Sequence, residues 1–265
     1  MCEIFALDSQ RIVRANTRVA EFFRDSPWNP HGWGVAWHNM YGELLVSKEP
    51  LCAADSDYLE YCLEEPIRTS RLIAHIRNAT RGETTFDNCH PFRASDASGR
   101  TCIIAHNGTI LNTRMIEGYD QWIVGDTDSE QVSLMLMDRL NEALEGRERL
   151  TFDERFEVLE DVIAELSEEN KVNLAIDDGE YLYMHTNTTE HTMYSLTQGA
   201  TMYFCTRPLD EDEPWKPLSH CRLLAYRNGR LVRAGHAHDN SFDDAVYLRI
   251  IELERQRAAE AAAQA

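Results

Sequence analysis

Cys2 directly follows the initiator Met1, so removal of Met1 would leave one residue that carries both a thiol and a free α-amine. A thiol is mostly protonated at neutral pH, and an α-amine of pKa about 7.7–8.0 is suited to accept its proton. The alternating apolar run Cys2–Leu7 predicts a strand that starts at the terminus. The fold must therefore bring a chain end to a sheet edge or end, where it can reach a cleft. The alternative is that Cys2 is an ordinary half-buried residue.

Composition and charge restrict the possible partners. The formal charge is −19, and lysine occurs only at positions 48, 171 and 216. Nucleic acid is therefore not expected as a partner, because phosphate binding requires clustered basic charge. No apolar run approaches the roughly 20 residues that cross a bilayer. We expect a cytoplasmic protein without membrane contact, whose seven scattered cysteines are reduced thiols.

The order of predicted elements favours an α+β fold. Apolar residues recur at helical spacing over Thr127–Leu144 and Phe152–Ser167, and shorter helices are predicted over Ile12–Asp25 and Leu59–Thr69. Strands are predicted on both sides of the long helical pair, over Cys2–Leu7, Gly32–Trp37, Glu43–Ser47, Arg71–Ile76, Thr101–His106, Val172–Ile176, Tyr181–His185, Met193–Leu196, Met202–Thr206, Arg222–Arg227 and Arg230–Arg233. This order predicts a layered sandwich with helices packed between two mostly antiparallel sheets.

Three polar motifs lie where a predicted strand ends or a helix begins. They are His75–Arg77, Ala105–Gly108 and Gly125–Glu130. Each has an ordinary structural explanation, since Asn-Gly is a turn signal, an arginine at a strand end is commonly solvated, and Thr-x-x-Glu is a capping box. Their occurrence together, in this order after a cysteine at position 2, favours one shared site.

With these motifs the chain resembles the class II glutamine amidotransferases, whose glutaminase domain is an N-terminal-nucleophile hydrolase, and in particular their small stand-alone branch. The resemblance runs through Cys2–Ile4, His31–Gly34, Ala74–Glu83, Cys89–Phe92, His106–Gly108, Thr127–Glu130, Asn173–Gly179 and Thr206–Leu209. It implies a four-layer α/β/β/α sandwich of mostly antiparallel sheets with helices on the outer faces. It also implies one amidotransferase domain over residues 1–240. The region after it falls outside the resemblance, and its composition predicts a C-terminal helical extension over 241–265, partly frayed.

The resemblance implies a catalytic role for three residues. Cys2 would attack the side-chain amide carbon of glutamine, with its own α-amine as the base and then as the proton donor to departing ammonia. A γ-glutamyl thioester would form, and water would release glutamate. The Asn107 side-chain amide and the Gly108 N–H would bind the developing oxyanion.

The resemblance also implies the residues that bind the substrate. Arg77 would grip the α-carboxylate and Asp128 would pair with the α-ammonium group, while Thr80 and His106 would complete the binding site. Asp126 is the alternative partner for the ammonium group. Asp128 is preferred because the matching motif is Thr-Asp-Ser-Glu, which leaves Asp126 as a helix-entry residue.

Four histidines flank these motifs: His31, His75, His90 and His106. They lack the spacing of metal ligands, so we expect no metal and no cofactor. We expect the four side chains to support the cleft through hydrogen bonds.

Three functions stay open from the sequence. The first is glutamine hydrolysis, with the ammonia released or passed to a separate synthase subunit. The second is hydrolysis of other γ-glutamyl amides in thiol or amine metabolism. The third is a silent glutamine-binding subunit, against which the intact Cys2 and Arg77 argue. Asn78 and Arg81 stand where synthase-linked relatives have Trp and His, which argues against coupling to an acceptor domain through those positions.

Overall fold

Two antiparallel sheets pack face to face, and helices cover the outer face of each sheet. This computed structural model describes residues 2–188, 190, 192–245, 248–249 and 252. The four-layer α/β/β/α order is confirmed, and the prediction of helices between the sheets is wrong. The physical reason is that each sheet carries apolar residues on both faces, so one face packs on the other sheet and the opposite face needs a helical cover.

The strands of the two sheets, in chain order, are β1 (Glu3–Arg14), β2 (Trp33–His38), β3 (Leu44–Glu49), β4 (Arg68–Ile76), β5 (Phe92–Ser95), β6 (Thr101–Thr109), β7 (Lys171–Asp177), β8 (Leu182–His185), β9 (Tyr194–Gln198), β10 (Thr201–Cys205), β11 (Lys216–Pro217), β12 (Leu224–Arg227) and β13 (Arg230–Ala234). The first sheet has seven strands, in the order β11-β9-β10-β1-β4-β2-β3. The second sheet has six strands, in the order β13-β12-β8-β7-β6-β5. Every strand pairing within these two sheets is antiparallel.

The outer layers contain four α-helices with described bounds. The helices α1 (Asn16–Phe23) and α2 (Asp57–Glu64) pack on the first sheet, and α3 (Asp128–Leu144) and α4 (Phe152–Leu166) pack on the second. Short 3₁₀ helices occur at Ser26–Trp28, Ala53–Asp55 and Tyr119–Gln121. Among the residues that the structure describes, no helix has both the length and the apolar character to cross a bilayer.

The layer between the two sheets changes character along the strands. Ile73, Ala105 and Ala175 belong to an apolar cluster that joins the sheets. Successive side chains alternate between the faces of a strand, so the residue two positions further on faces the same layer. By this alternation the layer is polar at both ends. His75, Asn107 and Asn173, each two positions away along its strand, lie at one end, and the ion pair of Arg71 with Asp177 lies at the other. The end that contains Asn107 is the one at which Cys2 lies.

Two predicted helices differ from the observed elements. The predicted helix Ile12–Asp25 is wrong at its start, because β1 continues past a register shift and pairs with β4 again up to Arg14. The predicted helix Leu59–Thr69 is wrong at its end, because α2 stops at Glu64. Pro66 disfavours helical backbone at the residue before it, and that residue is extended. The strand β5 was not predicted, since its four residues are too short for a periodic pattern.

Residues 241–244 pack on the domain rather than extend away from it. Phe242 forms a parallel bridge with Thr188, and its N–H donates to the Asn187 carbonyl at 2.7 Å. Asp244 is buried and forms an ion pair with the buried Lys171. Most of the predicted helical extension over 241–265 lies outside the described residues.

A buried ion pair holds the hairpin turn at the end of β7 that lies away from Cys2. Arg155 of α4 donates from Nε to Asp178 Oδ2 at 3.0 Å, and both side chains are almost completely buried. The other carboxylate oxygen accepts the backbone N–H groups of Glu180 and Tyr181. Asp178 therefore stabilises both the turn after β7 and the packing of α4 against that turn.

Replacement of Asp178 by alanine is expected to lower the free energy of unfolding by about 3–5 kcal/mol, because the guanidinium of Arg155 then stays buried without its counter-charge. Urea unfolding followed by circular dichroism measures this effect. The matched control is Glu142→Ala, which removes an exposed pair with Arg139 and is expected to change stability by at most about 0.5 kcal/mol. Equal effects of the two substitutions would contradict the prediction.

Candidate active site

The pairing of β1 with β4 brings Cys2 next to Arg77. Glu3 lies opposite Ile76. Cys2 precedes Glu3 and Arg77 follows Ile76, so Cys2 and Arg77 are neighbours at the same end of the sheet. The Cys2 Sγ accepts the backbone N–H of Asn78 at 3.2 Å, and the thiol lies 3.4 Å from the Asn78 carbonyl, to which it donates. The backbone of the loop after β4 therefore holds the sulfur of a half-buried cysteine.

The surroundings of Cys2 favour the protonated thiol. Burial raises the pKa of the Cys2 thiol, and the negative charge of Asp128 acts in the same direction. The Asn78 N–H and the positive charge of Arg77 lower the pKa, but they do not reverse the shift. Since only the thiolate attacks efficiently, this cysteine needs a base beside it to react at neutral pH.

Asn107 lies at the end of β6 and faces the layer between the sheets, the same layer that Ile4 of the Cys2 strand faces. Its side chain is buried. Its side-chain amide has no hydrogen-bond partner among the described residues. The amide is therefore free to donate to a substrate oxygen.

Gly108 presents its backbone N–H on the side of β6 that lies away from β7. Val172 stands opposite Gly108, and its own N–H donates to the Asn187 side chain, outside the ladder. In an antiparallel ladder both residues of such a pair point their N–H groups outward. On the outward side β5 pairs with β6 only as far as Ile104, so the strand does not cover this N–H.

No side chain fits at position 108. A Cβ atom on Gly108 would lie 1.9 Å from the Lys171 carbonyl oxygen and 2.3 Å from Nε2 of His106. Both distances are far below van der Waals contact, and the nearer atom belongs to the backbone. The close approach of β6 and β7 at this point therefore requires glycine.

Arg77 is buried, and part of its guanidinium is used within the protein. Nη1 donates to the Glu83 carbonyl at 2.8 Å, and Nη2 donates to the carbonyls of Arg81 at 2.8 Å and Gly82 at 3.3 Å. A guanidinium has five N–H groups, so at least two have no acceptor among the described residues. Arg77 thus shapes the loop 81–83 and still has donors for a carboxylate.

Asp128 and Asp126 have different surroundings. Asp128 is the first residue of α3, and its Oδ2 accepts the N–H of Ile110 at 3.0 Å. Asp126 accepts the N–H of Glu83 at 3.2 Å and the side-chain amide of Asn88. Asp126 is therefore committed to the loop that Arg77 shapes, whereas Asp128 makes fewer protein contacts.

His106 faces the helical layer, because its neighbour Asn107 faces the other sheet. Its Nδ1 lies 3.0 Å from the Ser129 hydroxyl and its Nε2 lies 3.1 Å from the Lys171 carbonyl. Burial lowers the pKa of the His106 imidazole, so the ring is neutral. Both ring nitrogens have protein partners, and the side chain supports the start of α3 behind Asp128.

Thr80 is exposed in the loop that follows Arg77. His31 holds this loop, since its Nδ1 accepts the N–H of Ala79 at 2.9 Å. The side-chain amide of Asn78 donates to the Trp28 carbonyl at 3.3 Å. The segments before β2 and after β4 therefore form one wall next to Cys2.

His75 and His90 form a buried pair whose ring centroids are 4.2 Å apart. Burial lowers the pKa of His75 to about 3 and the pKa of His90 well below its ordinary value, so both rings are neutral. Within the described part of the chain, none of their four ring nitrogens has a hydrogen-bond partner. The prediction of supporting hydrogen bonds is therefore confirmed for His31 and His106 but wrong for this pair. Within the described ranges no group of three or more His, Cys, Asp or Glu side chains is arranged to hold a metal ion.

Asn78 is a site residue whose role the sequence did not indicate. The sequence marked it only as a departure from a tryptophan, whereas its backbone makes both contacts to the Cys2 sulfur. Its position directly after Arg77 at a strand end was the available signal. Backbone contacts do not depend on the side chain, so the residue type gave no indication.

Comparison with known proteins identifies the family. The model of the family "Glutamine amidotransferases class-II" matches residues 1–199. An uncharacterized protein of Methanocaldococcus jannaschii is 26% identical over 257 residues, which cover 88% of this chain and 71% of that protein.

Solved structures share the fold. A glutamine aminotransferase class-II domain protein of Silicibacter pomeroyi is similar with a TM-score of 0.57 at 19% identity, over 89% of this chain and 99% of that chain. Glutamine phosphoribosylpyrophosphate amidotransferase of Bacillus subtilis is similar with a TM-score of 0.63 at 14% identity, over 91% of this chain and 50% of that chain. At these identities the likeness shows the fold alone, whereas the family match covers most of the chain. The chain therefore belongs to the class II glutamine amidotransferases.

Proposed function

We propose that the chain hydrolyses the side-chain amide of glutamine, with Cys2 as the nucleophile after removal of Met1. The supporting observation is the group at one end of the two sheets, in which the Cys2 sulfur contacts the Asn78 backbone beside Arg77. The charge of Asp128 acts on the same sulfur. A nucleophile, a cation and an anion at one point match an amino-acid substrate that carries both charges.

The proposed reaction has two steps. In the first, the α-amine of Cys2 takes the thiol proton, the sulfur attacks the amide carbon, and the amine returns the proton to the leaving nitrogen as ammonia departs. In the second, water attacks the γ-glutamyl thioester, glutamate leaves and the thiol is regenerated. The Asn107 amide and the Gly108 N–H would stabilise the oxyanion in both steps, and removal of one such donor typically costs about 10²–10³ in rate.

The amino-acid end of the substrate would be held by its two charges. Arg77 has at least two uncommitted N–H groups for the α-carboxylate. Asp128 would accept the α-ammonium group, since Asp126 is occupied by Glu83 and Asn88. His106 would act by holding the start of α3, and Thr80 lies in the loop next to the carboxylate position.

A second candidate is the hydrolysis of a γ-glutamyl amide with a bulkier amine. Trp28 is 77% exposed, and its carbonyl is joined to the side chain of the same Asn78 that contacts Cys2. An exposed indole at this wall offers an apolar surface to a leaving group larger than ammonia. Transfer of the released ammonia to a separate synthase subunit is compatible with either substrate.

Mass spectrometry of the intact protein tests the proposed nucleophile. We expect the mass of a chain without Met1, and one added adduct after treatment with a diazoketone analogue of glutamine, located on Cys2 by peptide mapping. An excess of glutamine should protect against labelling. A retained Met1, or an adduct on another of the seven cysteines, would count against the proposal.

A panel of γ-glutamyl amides assayed beside glutamine ranks the two candidate substrates. A higher kcat/KM for glutamine than for every larger amide selects glutamine. A larger amide with a higher kcat/KM selects the second candidate. The Trp28→Ala variant should lower kcat/KM only for the larger amides, and an equal loss for glutamine would exclude the apolar-surface explanation.

A further inference from the structure

Asn173 is a fully buried asparagine whose amide is only half satisfied. Its exposed fraction is 0%. Its Oδ1 accepts the hydroxyl of Thr186 at 2.7 Å and the hydroxyl of Thr188 at 3.5 Å. Its Nδ2 has no hydrogen-bond partner among the residues that the structure describes. A buried N–H group without an acceptor costs free energy, so it calls for a functional explanation.

Asn173 is the cross-strand neighbour of Asn107. Asn173 of β7 stands directly opposite Asn107 of β6 in the register of the second sheet. The side chains of such a pair project from the same face of the sheet, with Cβ atoms about 4.5–5.5 Å apart. Both side chains lie in the layer between the sheets, at the polar end where Cys2 lies. Both side chains are buried, and Asn173 is the less exposed of the two.

We propose that Asn173 is a positioning residue that fixes the side-chain amide of Asn107 for catalysis. This inference rests on the proposed function, in which Asn107 donates to the oxyanion. The two hydroxyls hold Asn173 Oδ1, which leaves its Nδ2–H as the group that can donate to Asn107 Oδ1. The two amides are not hydrogen-bonded to each other in this structure; the bond forms in the substrate complex, where it directs the NH₂ group of Asn107 towards the oxyanion and keeps its oxygen away from it.

The physical need for this residue comes from the asparagine side chain. The last torsion of an asparagine is broad and roughly two-fold, so the amide can present either its oxygen or its nitrogen. An oxygen turned towards the developing negative charge would repel it. A fixed donor behind Asn107 removes the wrong orientation before the reaction starts, which is the preorganisation that an oxyanion site requires.

A double-mutant cycle of Asn173→Ala and Asn107→Ala tests the proposal with glutamine as the substrate. We expect Asn173→Ala to lower kcat about 10- to 50-fold, less than the loss of an oxyanion donor itself, and to leave KM within about threefold. In the Asn107→Ala background the same substitution should lower kcat by less than about twofold, because the residue it positions is gone. Full additivity of the two losses in kcat would overturn the proposal.

The Asn173→Leu variant keeps the approximate volume of the side chain and serves as a second test. It removes the Nδ2 donor without placing a charge at a fully buried position. We expect a loss in kcat similar to that of Asn173→Ala, with a thermal unfolding midpoint closer to that of the unsubstituted protein. Unchanged kcat in this variant would overturn the proposal.

These measurements separate the inference from the proposed function. If the unsubstituted protein releases no glutamate from glutamine or any γ-glutamyl amide, the proposed function fails and the role of Asn173 falls with it. If the unsubstituted protein hydrolyses the substrate and the losses in kcat of the two substitutions are additive, only the role of Asn173 fails.

Discussion

The Cys2→Ala variant is expected to lose hydrolysis of the amide substrate by about 10⁴-fold or more in kcat, the range seen when a catalytic nucleophile is removed. No thioester can form without the sulfur, and the remaining groups can only bind the substrate and stabilise an oxyanion. Ammonia release measured by a coupled assay gives kcat, and glutamate release gives an independent check. Substrate binding should persist, since the charges of Arg77 and Asp128 are unchanged.

Cys62→Ala is the matched control for this prediction. Cys62 is also a half-buried free thiol, but it lies on α2, on the outer face of the first sheet. We expect its removal to leave kcat within about twofold, because it touches none of the groups around Cys2. Retained turnover in Cys2→Ala, or an equal loss in Cys62→Ala, would show that the sulfur at position 2 is not the nucleophile.

The Asp128→Asn variant is expected to raise the KM for glutamine about 10²-fold or more, because the α-ammonium group then lies in a buried site without its counter-charge. Asparagine keeps an oxygen that can accept the N–H of Ile110, so the start of α3 should be retained. Steady-state kinetics over a wide range of glutamine concentrations measure the effect.

Asp126→Asn provides the comparison that identifies the ammonium partner. The asparagine oxygen can still accept the N–H of Glu83, as the carboxylate does. We expect KM to change by less than about fivefold, the effect of a weakened loop contact. The opposite pattern, a large rise in KM for Asp126→Asn and none for Asp128→Asn, would assign the ammonium group to Asp126.

The local parts of this fold were predictable because each has its own signal. The helix Asp128–Leu144 follows from apolar spacing and from Thr127 as its N-cap, and the structure agrees within one residue. The strand starting behind Cys2 follows from alternation. Its length does not, because β1 passes a register shift before it resumes pairing, and no periodicity survives such an irregularity.

The parts of the site that depend on strand register could not be predicted from the residues. Cys2 and Arg77 are neighbours only because Glu3 pairs with Ile76. His106 and Asn107 are adjacent on β6, so when the Asn107 side chain points to the layer between the sheets, the His106 side chain must point to the helical layer. A shift by one residue would turn every side chain of a strand to the other face. Residue types therefore indicated candidate groups for the site, whereas strand pairing decided which of them lie next to each other.

The apolar middle of the layer between the sheets separates the Cys2 sulfur from the far end of the sandwich. Ile4, Ile73 and Ala105 are fully or almost fully buried and close the space behind the sulfur. Under the proposed function, substrate and hydrolytic water would therefore reach the sulfur from the polar end of the layer, beside the segments joined by the contact of Asn78 with Trp28. The apolar residues behind the sulfur would then limit the amount of water around the thioester.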